Sequence, residues 1–448
     1  MFKSEGFQRY LRNTSWLFAD RVVRLVAVLI SSIFITRYLG PSLFGELNYA
    51  SAFVGIFLTL TSMGLDDIVA RDLVRDPDKR DRILGTAAFI KLAGAAMLFV
   101  IVGLLGFFKG MDGLMLGMVL LIGGAEFLKP ITVCEPYFHS QVKGRIVAKV
   151  NIVQALISAG FKLAIVFLVP KPTDGTNDTA LILFACAYFV EMGALSGGYL
   201  IAYRNYGPHW RDWRFDRAIA GQLLRQSWPL IVFGLALFVQ AKVDQVLIGD
   251  LLRGRLGEEA ANAEVGQYSA ALKMIESLGF LPSIVVASLA PAITRARQEN
   301  HELYVHRIVN QYRLMFVMFL ATSVPLYFLA PPFMVIFFGQ AYAPAGHLLS
   351  LFAIRLFFTN MGVAKMSFIT NESLFRYSLV MSVVGAACNV GLNWVLIPRY
   401  QSEGAIWAMI ISFFVSNFLL DLFYKQARPN LRYTLHAIGT FWQVRSAR

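Results

Sequence analysis

Residues 83–107, ILGTAAFIKLAGAAMLFVIVGLLGF, form an apolar run of 25 residues that contains one charged side chain, Lys91. About 20 apolar residues are enough for an α-helix to cross a hydrocarbon core of about 30 Å. The run lacks the alternation of apolar and polar residues that a barrel strand requires. It therefore predicts a membrane-spanning helix.

The rest of the chain repeats this pattern. Its composition is 57% hydrophobic and 15% charged with a mean hydropathy of +0.57, which excludes an ordinary soluble globular protein. Lipid admits only helices or closed barrels. We therefore expect an all-α polytopic membrane protein with twelve spans, at residues 14–36, 44–64, 83–107, 114–138, 146–169, 179–203, 228–250, 266–293, 310–330, 345–369, 376–397 and 403–425.

The basic residues outside these spans predict the orientation. Of the 41 lysines and arginines, ten lie well inside the predicted spans and six lie on one side of them. The other 25 lie on the opposite side, where we also count Arg313, Arg376 and Lys425, which stand at span ends. The positive-inside rule places the richer side, with both termini, in the cytoplasm, and an even number of spans agrees with that. The net charge of +13 thus comes mostly from loop residues that set the orientation in the membrane, and nucleic acid is not an expected partner.

The connections between the spans are too short for a catalytic domain. The longest outside connection covers about residues 251–265. The three cysteines fall inside spans, and no phosphate-binding loop, nucleophile elbow or paired-cysteine motif occurs. We therefore expect no enzymatic activity, no metal site and no cofactor, apart from a possible coupling to H⁺ or Na⁺.

The chain repeats itself once. Ser15-Trp16 opens the first span and Ser227-Trp228 opens the seventh, and FGELNYA at 44–50 is similar to VGQYSAA at 265–271. Chance similarity among apolar helices is the alternative. A parallel internal repeat is a common plan of transporters that work by alternating access. It predicts an N-terminal six-helix lobe at 1–210, a C-terminal six-helix lobe at 211–425 and a basic cytoplasmic tail at 426–448.

Ten basic residues lie inside the predicted spans. A cation at the bilayer centre costs at least about 3 kcal/mol, so such residues usually face a partner or a water-filled cavity. Long side chains near span ends can instead reach the interface, which we expect for Lys149, Lys162 and Lys365. The expected anion-binding residues are Arg21, Arg24, Lys91, Lys129, Lys242, Lys273 and Arg355.

We count six acidic residues at the same depth: Asp20, Glu126, Glu135, Glu191, Asp244 and Glu276. Four of them are candidates for binding the coupling ion: Asp20, Glu126, Glu191 and Asp244. The alternative is that the acids neutralise neighbouring bases. Spacings of three or four residues allow such pairs at Asp20–Arg24, Glu126–Lys129 and Lys273–Glu276.

Four short motifs carry a resemblance to a known family. They are LGPSLFG at 39–45, MGLDD at 63–67, AKVDQ at 241–245 and FGQAY at 338–342. In this order and with twelve predicted spans, they resemble Wzx-type polysaccharide biosynthesis flippases, which form part of the multidrug/oligosaccharidyl-lipid/polysaccharide exporter superfamily.

The resemblance implies a function. Such proteins move undecaprenyl-pyrophosphate-linked oligosaccharide from the cytoplasmic to the periplasmic leaflet of the bacterial inner membrane, for O-antigen or exopolysaccharide synthesis, with polysaccharide assembly proteins as possible partners. A cationic central cavity suits the pyrophosphate, and ten interior bases against six acids favour it. A multidrug antiporter of the same superfamily, which would need an acidic and aromatic cavity for organic cations, is the alternative.

Overall fold

The computed structural model describes residues 5–171 and 178–443. Within these ranges the chain is almost entirely helical and contains no β-strand. The helices are α1 (Glu5–Gly55), α2 (Thr59–Ser62), α3 (Asp66–Arg75), α4 (Arg80–Phe108), α5 (Gly113–Ala125), α6 (Cys134–Ser140), α7 (Gly144–Leu168), α8 (Asp178–Tyr206), α9 (Arg217–Leu256), α10 (Glu258–Leu278), α11 (Phe280–Glu299), α12 (His301–Phe338), α13 (Ala343–Asn371), α14 (Phe375–Phe414), α15 (Leu420–Phe423) and α16 (Arg428–Gly439).

Ten helical segments of the described ranges are long and apolar enough to cross a membrane, so this is a polytopic helical membrane protein. Two of these segments are interrupted at a single residue, α1 at Gly40 (φ 71°) and the α14 segment at Gln401 (φ 52°). Glycine adopts a positive φ without strain, and Pro41 follows it. Because these interruptions fall between predicted spans 1 and 2 and between spans 11 and 12, the ten segments are consistent with twelve spans.

Two predicted spans are irregular at their centres. The span predicted at 114–138 consists of α5, a 3₁₀ segment at Glu126–Val133 and α6. The span predicted at 44–64 ends with a turn at 56–58 and the short helix α2. Pro130 lies in the 3₁₀ segment and lacks the N–H that an α-helix needs. The span at 114–138 is therefore interrupted near Pro130, and charged residues lie at this break.

The chain forms two compact units, Met1–Lys242 and Val243–Arg448, and their boundary falls inside α9. The core of the first unit includes Leu84, Val133 and Tyr199, all fully buried. The core of the second includes Ile308 and Met315. The predicted lobe boundaries at 210 and 425 follow the sequence repeat rather than these contacts, and they stay predictions. Residues 444–448 of the predicted tail lie outside the described residues.

Candidate functional site

In the first unit, three lysines at membrane depth contact carboxylates. Lys91 Nζ lies 2.6 Å from Asp66 Oδ1, Lys129 Nζ 3.0 Å from Glu126 Oε2 and Lys162 Nζ 2.8 Å from Glu191 Oε2. We expected the Lys162 side chain to reach the membrane interface. It instead forms an ion pair that joins α7 to α8. A lysine paired in this way has its charge compensated and is less available to an anionic ligand.

The pair Lys129–Glu126 lies at the irregular centre of the span that contains α5 and α6. Thr61, next to the break in the preceding span, donates a hydrogen bond from Oγ1 to Glu126 Oε2 at 2.7 Å. Lys129 Nζ also contacts Thr61 Oγ1 at 2.7 Å. Thr61 on one side of this cluster and Glu126 with Lys129 on the other therefore belong to interrupted spans. A 3₁₀ stretch inside a helix often marks a hinge.

Asp20 and Arg24 form the ion pair that their spacing predicted. Arg24 Nε lies 2.9 Å from Asp20 Oδ1, and Asn151 of α7 lies 3.5 Å from Asp20 Oδ2. Tyr199 of α8 donates to Asn151 Oδ1 at 3.3 Å. The Asp20 side chain is 4% exposed and that of Arg24 is 43% exposed. Part of the Arg24 side chain is therefore not covered by protein, although its charge is partly compensated.

Two predicted anion-binding residues of this unit have no acidic contact. Arg21 is exposed, and Lys242 is half-buried with neither a hydrogen bond nor an ion pair to any described residue. The Lys242 stem packs on Gly55, where an added Cβ would lie 3.3 Å from Lys242 Cγ. Gly55 thus leaves room for a lysine that the surrounding residues do not neutralise.

In the second unit, Asp244 lies in a buried polar cluster. Asp244 is 1% exposed, and its carboxylate accepts hydrogen bonds from Tyr268 Oη at 2.7 Å and from Asn393 Nδ2 at 2.6 Å. Asn389 lies one helical turn before Asn393 and is completely buried; its side chain acts on the Asp244 carboxylate without forming a hydrogen bond of normal geometry. No lysine or arginine of the described chain forms a salt bridge with Asp244.

Arg355 belongs to the surroundings of Asp244 without forming an ion pair with it. Its charge acts on Asp244 electrostatically. Its guanidinium packs 5.9 Å from the ring centroid of Phe352 and 5.6 Å from that of Phe413. The Nε and Nη1 atoms are buried and have no hydrogen-bond partner. Arg355 thus carries two buried donors that no described residue satisfies.

The remaining predicted residues of this unit lie elsewhere. Lys273 is half-buried and takes part in a polar, ionic or aromatic interaction, and Glu276 is exposed. Lys149 of the first unit is exposed, as expected for a residue near a span end.

Sequence reasoning missed one site, the pair Lys365–Asp421. Lys365 was expected at the interface but is 2% exposed, and Asp421 was not counted among the interior acids although it lies inside the predicted span 403–425. Lys365 Nζ lies 2.7 Å from Asp421 Oδ1 and donates to the carbonyl of Asn417 at 2.8 Å. Asn417 lies in a π-helical turn, Val415–Leu419, which frees carbonyls from the α-helical pattern.

Within the described part of the chain, at least five of the ten interior bases contact an acid: Arg24, Lys91, Lys129, Lys162 and Lys365. Fewer interior bases than the sequence predicts are therefore available to bind an anion. Among the described residues, no group of three or more histidine, cysteine or acidic side chains could hold a metal ion.

A family model described as polysaccharide biosynthesis protein matches residues 10–296, more than half of the chain. The uncharacterized membrane protein YabM of Bacillus subtilis (strain 168) is 24% identical over 246 residues, which are 52% of this chain and 46% of that protein. The chain thus spans about half the length of the curated relative it matches.

Solved transporter structures have a similar fold. An inward-facing multidrug resistance MATE family transporter of the MOP superfamily matches with a TM-score of 0.70 at 15% identity, over 95% of this chain and 100% of that one. The lipid II flippase MurJ, in an inward closed conformation, matches with a TM-score of 0.64 at 11% identity, over 96% and 92%. A MOP superfamily transporter from Pyrococcus furiosus, whose binding pocket is described as having reverse polarity, matches at 0.53 and 14% identity, over 96% and 94%. At these identities the likeness shows the fold alone.

Proposed function

The chain belongs to the polysaccharide biosynthesis protein family, and we propose that it is a Wzx-type flippase for undecaprenyl-pyrophosphate-linked oligosaccharide. The substrate would move from the cytoplasmic to the periplasmic leaflet of a bacterial inner membrane, with both protein termini in the cytoplasm. The translocated repeat unit would then enter O-antigen or exopolysaccharide synthesis through assembly proteins.

The observation that carries this proposal is the pair of cations without acidic contacts, one in each compact unit. Lys242 has no polar partner among the described residues, and Arg355 has two buried donors without acceptors. A buried guanidinium with unmade hydrogen bonds is costly, and a diphosphate offers it charge-assisted acceptors. An organic cation, the substrate of the alternative antiporter, would leave both side chains uncompensated.

The bases that contact a carboxylate have a different role in the proposal. Arg24, Lys91 and Lys129 each keep a carboxylate within 3.0 Å. We infer that they hold the polar interior of the first unit together and line a path for sugar hydroxyls, which need hydrogen bonds rather than net charge. Arg21 and Lys273 complete the proposed set of anion-binding residues. Alternating access would expose these groups first to one leaflet and then to the other, while the polyprenyl chain stays in lipid.

We further propose that Asp244 binds the coupling ion, a proton or Na⁺. It is a fully buried carboxylate whose hydrogen-bond partners are neutral, and the side-chain oxygen of Asn389 nearby lacks a partner. Oxygen atoms of this kind suit a proton or a hard cation such as Na⁺. Asp20, Glu126 and Glu191 are further candidates, although each already contacts a base.

The test is the leaflet distribution of undecaprenyl-pyrophosphate oligosaccharide in cells that lack the protein. The cells are complemented with wild type, Lys242→Ala, Arg355→Ala or the exposed control Lys149→Ala. We expect cytoplasmic-leaflet accumulation in the deletion strain, full relief by wild type and by Lys149→Ala, and at least about tenfold slower relief by the other two variants. Membrane levels of each variant are measured in parallel to separate folding from transport.

A normal distribution of the lipid in the deletion strain would refute the proposed substrate. If the same strain became sensitive to cationic dyes, the multidrug antiporter would be the correct assignment. Relief by Lys242→Ala and Arg355→Ala at the wild-type rate would keep the substrate but remove these two residues from its path.

A further inference from the structure

The second unit contains a polar cavity away from the residues discussed so far. It lies where the beginning of α12 packs beside α16 and has a volume of about 370 Å³, within the range of small-ligand pockets. Its polar lining consists of His301, Glu302, His306 and Arg313 from α12 and His436 from α16. Three of the six histidines of the chain thus meet at one place.

Arg313 is the central observation. It stands at the start of the predicted span 310–330, where the sequence counts it with the cytoplasmic basic residues, but it is 6% exposed. Its Nε and Nη2 atoms donate to Thr440 Oγ1 at 3.0 and 2.7 Å, and Nη1 donates to Asn310 Oδ1 at 2.8 Å. All of these acceptors are neutral, and no described acid forms a salt bridge with Arg313. A buried arginine without a carboxylate is costly, and an anion in the adjoining cavity would compensate it.

The same hydrogen-bond network leaves a ring N–H of His306 free to donate. Because Asn310 Oδ1 accepts from Arg313, its Nδ2 faces His306 Nε2 at 2.9 Å. An amide nitrogen donates, so His306 Nε2 is assigned as the acceptor and the ring proton lies on Nδ1. His306 therefore has one N–H available for a further acceptor. The guanidinium of Arg313 has five N–H donors, of which the three bonds above use only part.

The position of the cavity indicates which anion reaches it. The predicted span of α12 begins at residue 310, so His301 and His306 lie at its end, on the side predicted to be cytoplasmic. The adjoining helix α16 is amphipathic. It buries Asn430 and Ala437, whereas Leu435 is 58% exposed and Trp442, just beyond the helix, is 68% exposed. Exposed apolar and tryptophan side chains on such a helix favour the level of the lipid headgroups.

We propose that this cavity binds the phosphoryl group of an anionic phospholipid of the cytoplasmic leaflet. Arg313 supplies the charge, and His301, His306 and His436 supply hydrogen bonds. The single acid of the lining, Glu302, is exposed, so water screens its charge far more than that of buried Arg313. The site is independent of the proposed transport substrate, and its occupant holds α16 against α12.

The experiment measures lipid binding to the purified full-length protein by native mass spectrometry after exchange into neutral detergent. The probes are phosphatidylglycerol, phosphatidylcholine and inorganic phosphate. We expect phosphatidylglycerol to bind at least about tenfold more tightly than phosphatidylcholine. His306→Gln combined with His436→Gln should weaken phosphatidylglycerol by about tenfold, and Arg313→Gln should abolish its binding. Glu302→Gln should strengthen it by a few-fold.

Two controls keep the result interpretable. Arg432→Gln removes an exposed charge of α16 that does not line the cavity, and it should leave phosphatidylglycerol binding unchanged. Arg313→Lys keeps the charge and should retain part of the binding, so that a loss in Arg313→Gln can be told from misfolding. Inorganic phosphate that binds as tightly as phosphatidylglycerol would support the site and identify a soluble phosphate as its ligand.

Equal binding of phosphatidylglycerol and phosphatidylcholine would overturn the proposal. The same holds if the double histidine variant binds phosphatidylglycerol as wild type does, or if Arg432→Gln weakens it as much as the lining variants do. None of these outcomes depends on whether the protein transports a lipid-linked oligosaccharide.

Discussion

Asp421 and Asp244 are both buried aspartates of the second unit, 0% and 1% exposed, yet their surroundings differ. Asp421 contacts Lys365 at 2.7 Å and also accepts hydrogen bonds from Tyr377 Oη and, at 2.8 Å, from Asn430 Nδ2. Asp244 accepts two hydrogen bonds from neutral groups and has no basic contact. One carboxylate is fully compensated, and the other is not.

The difference shows how to distinguish a buried charge that stabilises the fold from an equally buried charge that is available for function. The Asp421 cluster connects α13, α14, α15 and α16, and its charges cancel, so it has no capacity left for a ligand. Around Asp244, the side chains of Asn389 and Arg355 retain unused donors or acceptors. Unsatisfied buried polar groups are rare and costly, which makes them candidates for binding a ligand or an ion.

The largest expected effect comes from breaking the compensated pair. Asp421→Asn leaves the ammonium of Lys365 buried without a carboxylate, and we expect the free energy of unfolding to fall by about 3–5 kcal/mol. The measurement is unfolding in mixed micelles by titration with SDS. The double variant Lys365→Met with Asp421→Asn should recover part of the loss, because no buried charge remains. A single variant as stable as wild type would show that Lys365 is hydrated.

The matched change at the other aspartate should act on function instead. Asp244→Asn removes a charge with which no described base forms an ion pair, so we expect the free energy of unfolding to change by less than about 1 kcal/mol. Uptake of lipid-linked oligosaccharide into proteoliposomes should lose its dependence on an imposed proton or Na⁺ gradient. If wild-type transport responds to neither gradient, Asp244 is not a coupling residue. If Asp244→Asn unfolds as readily as Asp421→Asn, the comparison between the two aspartates fails.

A smaller effect is expected where a compensated pair keeps its charges but loses a neutral partner. Thr61→Val preserves the side-chain volume and leaves the Lys129–Glu126 contact of 3.0 Å. It removes the Thr61 hydroxyl, which hydrogen-bonds both residues. We expect the free energy of unfolding to fall by about 1–2 kcal/mol, the value of hydrogen bonds to charged groups. Thr61→Ser is the control and should restore most of this loss. Stability equal to wild type in Thr61→Val would mean that the hydroxyl contributes nothing to the cluster.

The smallest effect is expected at an exposed ion pair. Lys79 and Asp76 are 3.8 Å apart, with side chains 61% and 46% exposed. Lys79→Ala should leave the free energy of unfolding within about 0.5 kcal/mol of wild type, since water and salt screen such pairs. The same SDS titration measures it. A loss comparable to that of Asp421→Asn would show that burial is not what separates the interior pairs from this one.

The fold was largely predictable from the sequence. Apolar runs such as 83–107 correspond to long helices such as α4, and the family resemblance drawn from four motifs agrees with the family match. The irregular centre at Glu126–Val133 could not be placed, because hydropathy measures a span's average polarity and is insensitive to a local change of helix type. Pro130 indicates an interruption of the helix, but not the length of the 3₁₀ segment around it.

The candidate site was predicted less completely. Local spacing found Asp20–Arg24 and Glu126–Lys129, because residues three or four apart on a helix are neighbours. It could not find Lys91–Asp66, Lys162–Glu191 or Lys365–Asp421, whose partners are 25, 29 and 56 residues apart. The acid of the last pair was visible inside a predicted span, and counting it would have supplied the only available hint.

The sequence by itself therefore determined the class of the protein, a polytopic helical membrane protein with basic residues at membrane depth. Hydrophobic length and charge are properties of each segment, and the membrane selects on them directly. Only the tertiary structure decided which of those bases are neutralised and which, such as Lys242 and Arg355, are not. Whether a buried charge has a partner depends on residues that other helices bring within about 4 Å, and no segment carries that information alone.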